Sequence, residues 1–238
     1  MSQFLSPHHN RREDAWGGTA EKRMRFVLEV YRAIRAAVGA EFPVAIKLNS
    51  ADFHKGGFSQ EESAAVVAAL ASEGIDLVEI SGGTYETATM VDGKGAKTDG
   101  DTREGFFMAY AESVRKNVDV PLALTGGFKS DVGMAHAIES GAVDFVGLGR
   151  AFALEPDFPA QIFAGKPFRS VVKRRTTGFK NVDRLSMLDI TWYENQLALL
   201  GDGKAAQPNL SPWKSMFSTM YKMGFGAFKQ RRVSSRTK

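Results

Sequence analysis

A chain of 238 residues, 43% hydrophobic and 24% charged, has the composition of an average globular protein of one large or two small domains, which excludes an intrinsically disordered or fibrous chain. It contains no cysteine, which excludes disulfides, thiolate metal sites and a cysteine nucleophile and fits a reducing compartment. The net charge of +4 is uneven: residues 204–238 hold eight basic and no acidic side chains, leaving −4 on the rest, so a whole-surface field that attracts nucleic acid is not implied.

No stretch approaches the roughly 18 apolar residues that cross a bilayer, and residues 1–10 lack the apolar run of a signal peptide. A cytoplasmic protein with no transmembrane segment and no nucleic-acid partner is expected. The first predicted element is a helix over residues 19–38, where Phe26, Val27, Val30, Ile34 and Val38 recur at helical spacing and Gly39 ends the run. Four short apolar runs, 43–48, 75–81, 120–125 and 143–148, read as buried parallel strands. Between them lie three predicted helices: 59–74, with the capping-box pair Ser59 and Glu62, then 102–117 and 130–141.

Strands alternating with helices at about 33 residues per step define an α/β fold built of right-handed β-α units. A doubly wound sheet and a (β/α)8 TIM-type barrel both fit, although a barrel needs eight strands and four are found. After Arg150 the periodicity fades. A helix is expected over 186–200, with Leu188, Thr191, Trp192, Asn195 and Leu199 on one face. Beyond it Pro208, Pro212, Gly224 and Gly226 argue against long regular structure. The helical spacing of Trp213, Met216, Phe217, Met220 and Tyr221 predicts a docked C-terminal helix with a frayed basic end. The alternative for this tail is a surface for anionic lipid or a partner. The expected division is residues 1–165 and 166–238.

Parallel α/β folds bind ligands at the carboxyl ends of their strands, and three candidates lie there. Lys47 sits inside the apolar strand 43–48 and needs an anion, either a ligand or a neighbouring carboxylate such as Glu79. Gly126 and Gly127 stand between a strand and a helix, where backbone N–H groups can turn toward a phosphate. Gly149 and Arg150 end the fourth strand, where glycine leaves room and the guanidinium offers a fork of donors. Each glycine pair also has a purely steric reading, but the two together match a barrel phosphate site.

The run Ser2-Gln3-Phe4-Leu5-Ser6-Pro7, then Asn10-Arg11-Arg12-Glu13-Asp14-Ala15-Trp16-Gly17-Gly18-Thr19, Glu21, Arg23, Arg25 and Phe26 resembles the stretch after the fourth strand in the old yellow enzyme family of NADH:flavin oxidoreductases. The likeness continues through the Lys47 strand, the segment Glu79 to Glu86, the Gly126-Gly127 turn and Gly149-Arg150, over about residues 2–160. It implies the second half of an FMN-binding (β/α)8 barrel, about four strands, followed by a C-terminal helical extension. It also implies FMN as cofactor, NADH or NADPH as reductant, and an electron-poor alkene or similar small molecule as acceptor.

By the same resemblance Lys47 takes the place of the basic residue near the flavin N1 and O2 edge, and Gly126, Gly127, Gly149 and Arg150 hold the FMN phosphate. Ser81 and Tyr85 fall near the barrel mouth, where they would touch flavin or substrate. Trp16 and Thr19 replace the family's usual Tyr and Ser, with an expected effect on packing only. The family's carbonyl-binding pair and proton-donor tyrosine lie in the half that precedes these residues, so no catalytic residue is assigned. The adjacent His8 and His9 are read as a solvated loop, His136 as part of an ordinary helix, and no metal is expected. Four strands cannot close a barrel, so a homo-oligomer or a missing half-barrel partner is expected to cover the open edges. The alternatives are a non-catalytic half-barrel that binds a phosphorylated ligand or completes a partner subunit, and a basic tail that acts as an anchor.

Overall fold

The structure is a computed structural model that describes residues 1–83 and 103–234. The chain forms two compact units, Met1–Leu148 and Gly149–Lys238. In the first, α1 (Ser2–Leu5) and α2 (Ala20–Val38) precede β1 (Ala45–Asn49), α3 (Gln60–Ser72) and β2 (Leu77–Ser81). Then follow α4 (Met108–Arg115), β3 (Leu122–Thr125), α5 (Asp131–Glu139) and β4 (Phe145–Gly147).

The four strands are parallel and lie in the order β1-β2-β3-β4. A doubly wound sheet reverses its strand order partway and receives helices on both faces; this sheet does not reverse, so it has the winding of a barrel wall. Period-two alternation then divides the side chains cleanly. Leu48, Val78, Ile80, Leu122 and Leu124 are buried within the main apolar core, each worth roughly 1.5–3 kcal/mol of transfer free energy. The other face carries the register row Lys47, Glu79, Ala123 and Phe145, and Phe145 is 56% exposed. This face is therefore polar on its β1–β2 side, where Lys47 and Glu79 lie, and apolar toward β4.

Local chemistry explains the helix ends. Thr19 accepts from the Lys22 N–H at the start of α2, and Ser59 and Glu62 form the reciprocal capping box of α3. At the strand starts one device occurs twice. The Asp76 carboxylate accepts from the Val44 N–H at 2.6 Å and pairs with Arg35. The Asp144 carboxylate accepts from the Leu122 N–H at 2.8 Å and pairs with Arg115. Each aspartate thus ties the entry of its own strand to the strand before it and to the end of a preceding helix.

The residues most specific in sequence hold the N-terminal segment in place. Arg23 is buried and donates to the carbonyls of Leu5 and Gly18 and to the Glu62 carboxylate. Asn10 donates to the carbonyls of Phe4 and Trp16 at 2.8 and 2.7 Å. A Cβ at Gly17 would stand 2.4 Å from the Arg12 carbonyl oxygen, so only glycine fits. Trp16 packs beside Phe26 and under the Arg25 guanidinium, a packing role as expected for this substitution.

The second unit contains α6 (Phe158–Phe163), α7 (Lys180–Leu185), α8 (Leu188–Gly201) and α9 (Pro212–Ser234). Its core is Ala153, Leu154, Leu188, Trp192 and Tyr193, with the Arg175 guanidinium 3.6 Å above the Trp192 ring. Asn195 of α8 donates to the Ser215 and Thr219 hydroxyls of α9, and Lys222 donates to Asn195 Oδ1. The prolines and glycines do not shorten α9 as the sequence suggested. Pro212 is its first residue, where a missing N–H is harmless, and the helix continues through Gly224 to Ser234. No helix among the described residues is long and apolar enough to cross a membrane.

Two outcomes follow for stability. Replacing Arg23 with Met takes the arginine donor from Glu62 Oε1 and from the Leu5 and Gly18 carbonyls, and urea denaturation should show a loss of about 3 kcal/mol or more. The Val44 N–H and then Arg35 hold the Asp76 carboxyl below the usual aspartate range. A depressed folded pKa gives stability that is present above the unfolded value of roughly 3.9 and is lost as pH falls through the folded one. Asp76→Asn should therefore flatten the stability decline below about pH 4 in acid titrations monitored by circular dichroism.

Candidate functional site

The candidate site lies at the carboxyl ends of the strands. Lys47 projects from β1 on the uncovered face and pairs with Glu79, its register partner on β2. Thr125 of β3 donates to the same Glu79 oxygen at 2.6 Å. Desolvation pushes the Glu79 carboxyl up, but the hydrogen bonds from Lys47 and Thr125 and the lysine charge outweigh it, so it ionises below the ordinary range. Of the two partners that sequence left open for Lys47, the structure has the carboxylate. The pair is neutral overall, so its field is weaker than that of a lone cation.

One turn further along, Asn49 donates to the Gly83 carbonyl at 2.7 Å, and Ser81, which is buried, has its hydroxyl within reach of Leu48 O and Asn49 Oδ1. The Ser81 hydroxyl is thus engaged in joining the ends of β1 and β2. Tyr85 lies outside the described residues. Behind the sheet, the Tyr110 hydroxyl donates to Ser63 Oγ at 2.7 Å, and Ser63 donates to the Asn49 carbonyl. Burial pushes the Tyr110 phenol up to about 12.

Gly126 and Gly127 follow β3 with φ of 118° and 88°, a left-handed run that glycine alone adopts freely. A Cβ at Gly127 would also meet the Phe106 ring at 2.5 Å. The helix that follows is capped by Ser130, whose hydroxyl accepts from the Gly133 N–H. Glu104 completes this end: its carboxylate accepts from the N–H groups of Lys129 and Ser130 at 2.7 and 2.9 Å and from the Ser130 hydroxyl. Sequence reading placed Glu104 within a helix over 102–117, whereas α4 begins at Met108 and Glu104 reaches across to α5. The available signal was Gly133: mid-helix glycine is unfavourable by about 1 kcal/mol, and a Cβ there would lie 2.3 Å from Glu104.

In the second unit, a Cβ added at Gly149 would meet nothing within 4 Å, and its backbone is not left-handed. The Arg150 guanidinium lies 5.8 Å from the centre of the Tyr193 ring. His136 sits in α5 as expected. Sequence spacing missed one grouping: His8 and His9 meet His54 from the loop after β1, with one ring nitrogen of each within 4.8 Å of the others.

Residues 1–168 match the NADH:flavin oxidoreductase / NADH oxidase family. An NADH-dependent flavin oxidoreductase of Talaromyces variabilis is 39% identical over 168 residues, which are 68% of this chain and 40% of the relative. Another from Neonectria sp. is 41% identical over 166 residues, 67% of this chain and 22% of the relative. A 2-naphthoyl-CoA reductase structure superposes with a TM-score of 0.61 at 29% identity, over 69% of this chain and 24% of that one. An old yellow enzyme homologue from Zymomonas mobilis gives 0.56 at 25%, over 72% and 45%. The chain belongs to the NADH:flavin oxidoreductase family and spans less than half the length of these relatives. Its four parallel strands correspond to part of a TIM-type barrel of the old yellow enzyme kind.

The Glu104 cap gives a direct test. Glu104→Ala leaves the Lys129 and Ser130 N–H groups without their acceptor, and chemical denaturation should show a loss of about 1–3 kcal/mol.

Proposed function

We propose that this chain is the cofactor-binding part of an FMN-dependent oxidoreductase and acts in the cytoplasm. Bound FMN supplies a ring that takes hydride from NADH or NADPH and passes it to an electron-poor alkene conjugated to a carbonyl. The chain's own contribution is to hold and bias that group. Gly126 and Gly127 turn backbone N–H groups toward the phosphate. Gly149 and Arg150, both in the second unit, are assigned to the phosphate by the family pattern. Lys47 faces the flavin ring edge as half of its pair with Glu79, and Ser81 with Tyr85 borders the substrate.

The observation that carries this reading is the family match over residues 1–168. The fold demands glycine at Gly17, where Arg12 leaves no space, and at Gly147, where a Cβ would stand 1.9 Å from Thr125 Oγ1. At Gly149, as at Gly201 and Gly224, a Cβ would meet nothing within 4 Å, so it is the family pattern that singles out Gly149. A second reading, a half-barrel that binds the phosphorylated ligand and completes a partner subunit without turnover of its own, is favoured by the bare sheet face ending at Phe145.

The test is to load the purified chain with FMN, remove unbound flavin, and record the visible spectrum before and after anaerobic NADH. A retained band that NADH bleaches is expected. A retained band that NADH leaves unchanged supports the second reading, and no retained flavin overturns both. Arg150→Ala should weaken FMN about tenfold to a hundredfold while leaving riboflavin, which lacks the phosphate, unchanged. Removing the negative partner with Glu79→Gln should raise the flavin midpoint potential, and Lys47→Met should lower it, because a nearby cation favours the anionic reduced ring.

A further inference from the structure

His8 and His9 occupy the turn after α1, and His54 lies in the loop that follows β1. Their rings pack edge to face, with centroids 4.8 Å apart for His8 and His9 and 4.7 Å for His8 and His54. His54 Nδ1 lies 3.3 Å from the Lys55 carbonyl oxygen. A carbonyl only accepts, so the tautomer that bonds it through Nδ1–H leaves the Nε2 lone pair open to a ligand. That Nε2 is shielded from solvent and has no hydrogen-bond partner. It faces the Asp52 carboxylate at 3.8 Å, whose side chain is 4% exposed and whose Oδ2 accepts from the Phe58 N–H.

An unpartnered imidazole nitrogen thus faces a buried carboxylate, an arrangement that a cation between them satisfies. The loop is shaped to bring them together. Phe53, between Asp52 and His54, has φ of 57°, an uncommon conformation for a bulky residue. A Cβ at Gly57 would meet both Asp52 and His54 at 2.8 Å.

We propose that His8, His9 and His54 bind one divalent transition-metal ion, Zn²⁺ by the chemistry of the donor set, with the Asp52 carboxylate beside His54 adding its negative charge to the site. A tetrahedral zinc with bonds of about 2.0–2.2 Å places its nitrogen and oxygen donors about 3.4 Å apart. One ring nitrogen from each histidine lies within 4.8 Å of the others, so side-chain movements of about 1–1.5 Å bring them to that spacing. The Nδ1–H to carbonyl bond of His54 is the outer contact that orients a ligating imidazole. Bound there, the ion ties the N-terminal turn to the carboxyl end of β1. The proposal is independent of flavin binding.

The experiment is a titration of the metal-free protein with Zn²⁺ against a chromophoric chelator. One equivalent per chain is expected, with His54→Ala losing more than about 100-fold in affinity and His136→Ala, at the remaining histidine, unchanged. Failure of the wild-type chain to bind stoichiometrically, or binding that survives His54→Ala, overturns the proposal. Should His54→Ala not fold, zinc-edge absorption spectroscopy on the wild-type complex decides: three imidazoles are expected, and fewer contradict the assignment.

Discussion

Each crossover in the first unit moves the chain one strand further in the same direction, and right-handed connections then place the intervening helices on one side of the sheet. Most other features of this unit follow from that constraint. One side-chain row must be apolar throughout and is, from Leu48 through Ile80 to Leu124. The opposite row escapes the helices and is free to carry Lys47, Glu79 and Thr125 in one hydrogen-bonded group. Charged side chains are tolerated there because they satisfy one another instead of facing the core.

The two ends of the sheet serve different purposes. At the amino ends Asp76 and Asp144 each fasten a backbone N–H and an arginine, a repeated fixture that concerns stability. At the carboxyl ends the strands break into glycine turns, the Asn49–Ser81 junction and the histidine cluster. This polarity is the one expected of barrel folds, in which chemistry collects beyond the carboxyl ends. The family match covers residues 1–168 and takes in both ends. Asn10, Gly17 and Arg23, within the first run that carries the resemblance, hold the N-terminal segment.

What was legible in the sequence was local. All four strands stand within two residues of their expected starts, because Val, Ile and Leu runs bounded by polar turns have few alternatives. The Ser59–Glu62 capping box formed because both partners lie within one helical turn. What was not legible depended on distant partners. Glu104 leaves its own expected helix to cap α5, 26 residues on in the case of Ser130. Lys47 and Glu79 are 32 residues apart; the sequence offered Glu79 as one of two partners, and strand register brings the pair opposite. The adjacency of His8 and His9 carried no sign of His54, which reaches them through the loop after β1. Gly224 failed to end α9 because a helix tolerates a single glycine at modest cost.

The central claim is that the bare face and carboxyl end of this sheet receive the flavin while the helix-covered face and amino ends serve only the fold. Hydrogen exchange followed by mass spectrometry, with and without FMN, tests it most directly. The account predicts added protection in β1 near Lys47 and in the turn at Gly126 and Gly127, with the segments around Asp76 and Asp144 unchanged. Protection confined to the Asp76 and Asp144 end, or none at the glycine turn, would contradict it.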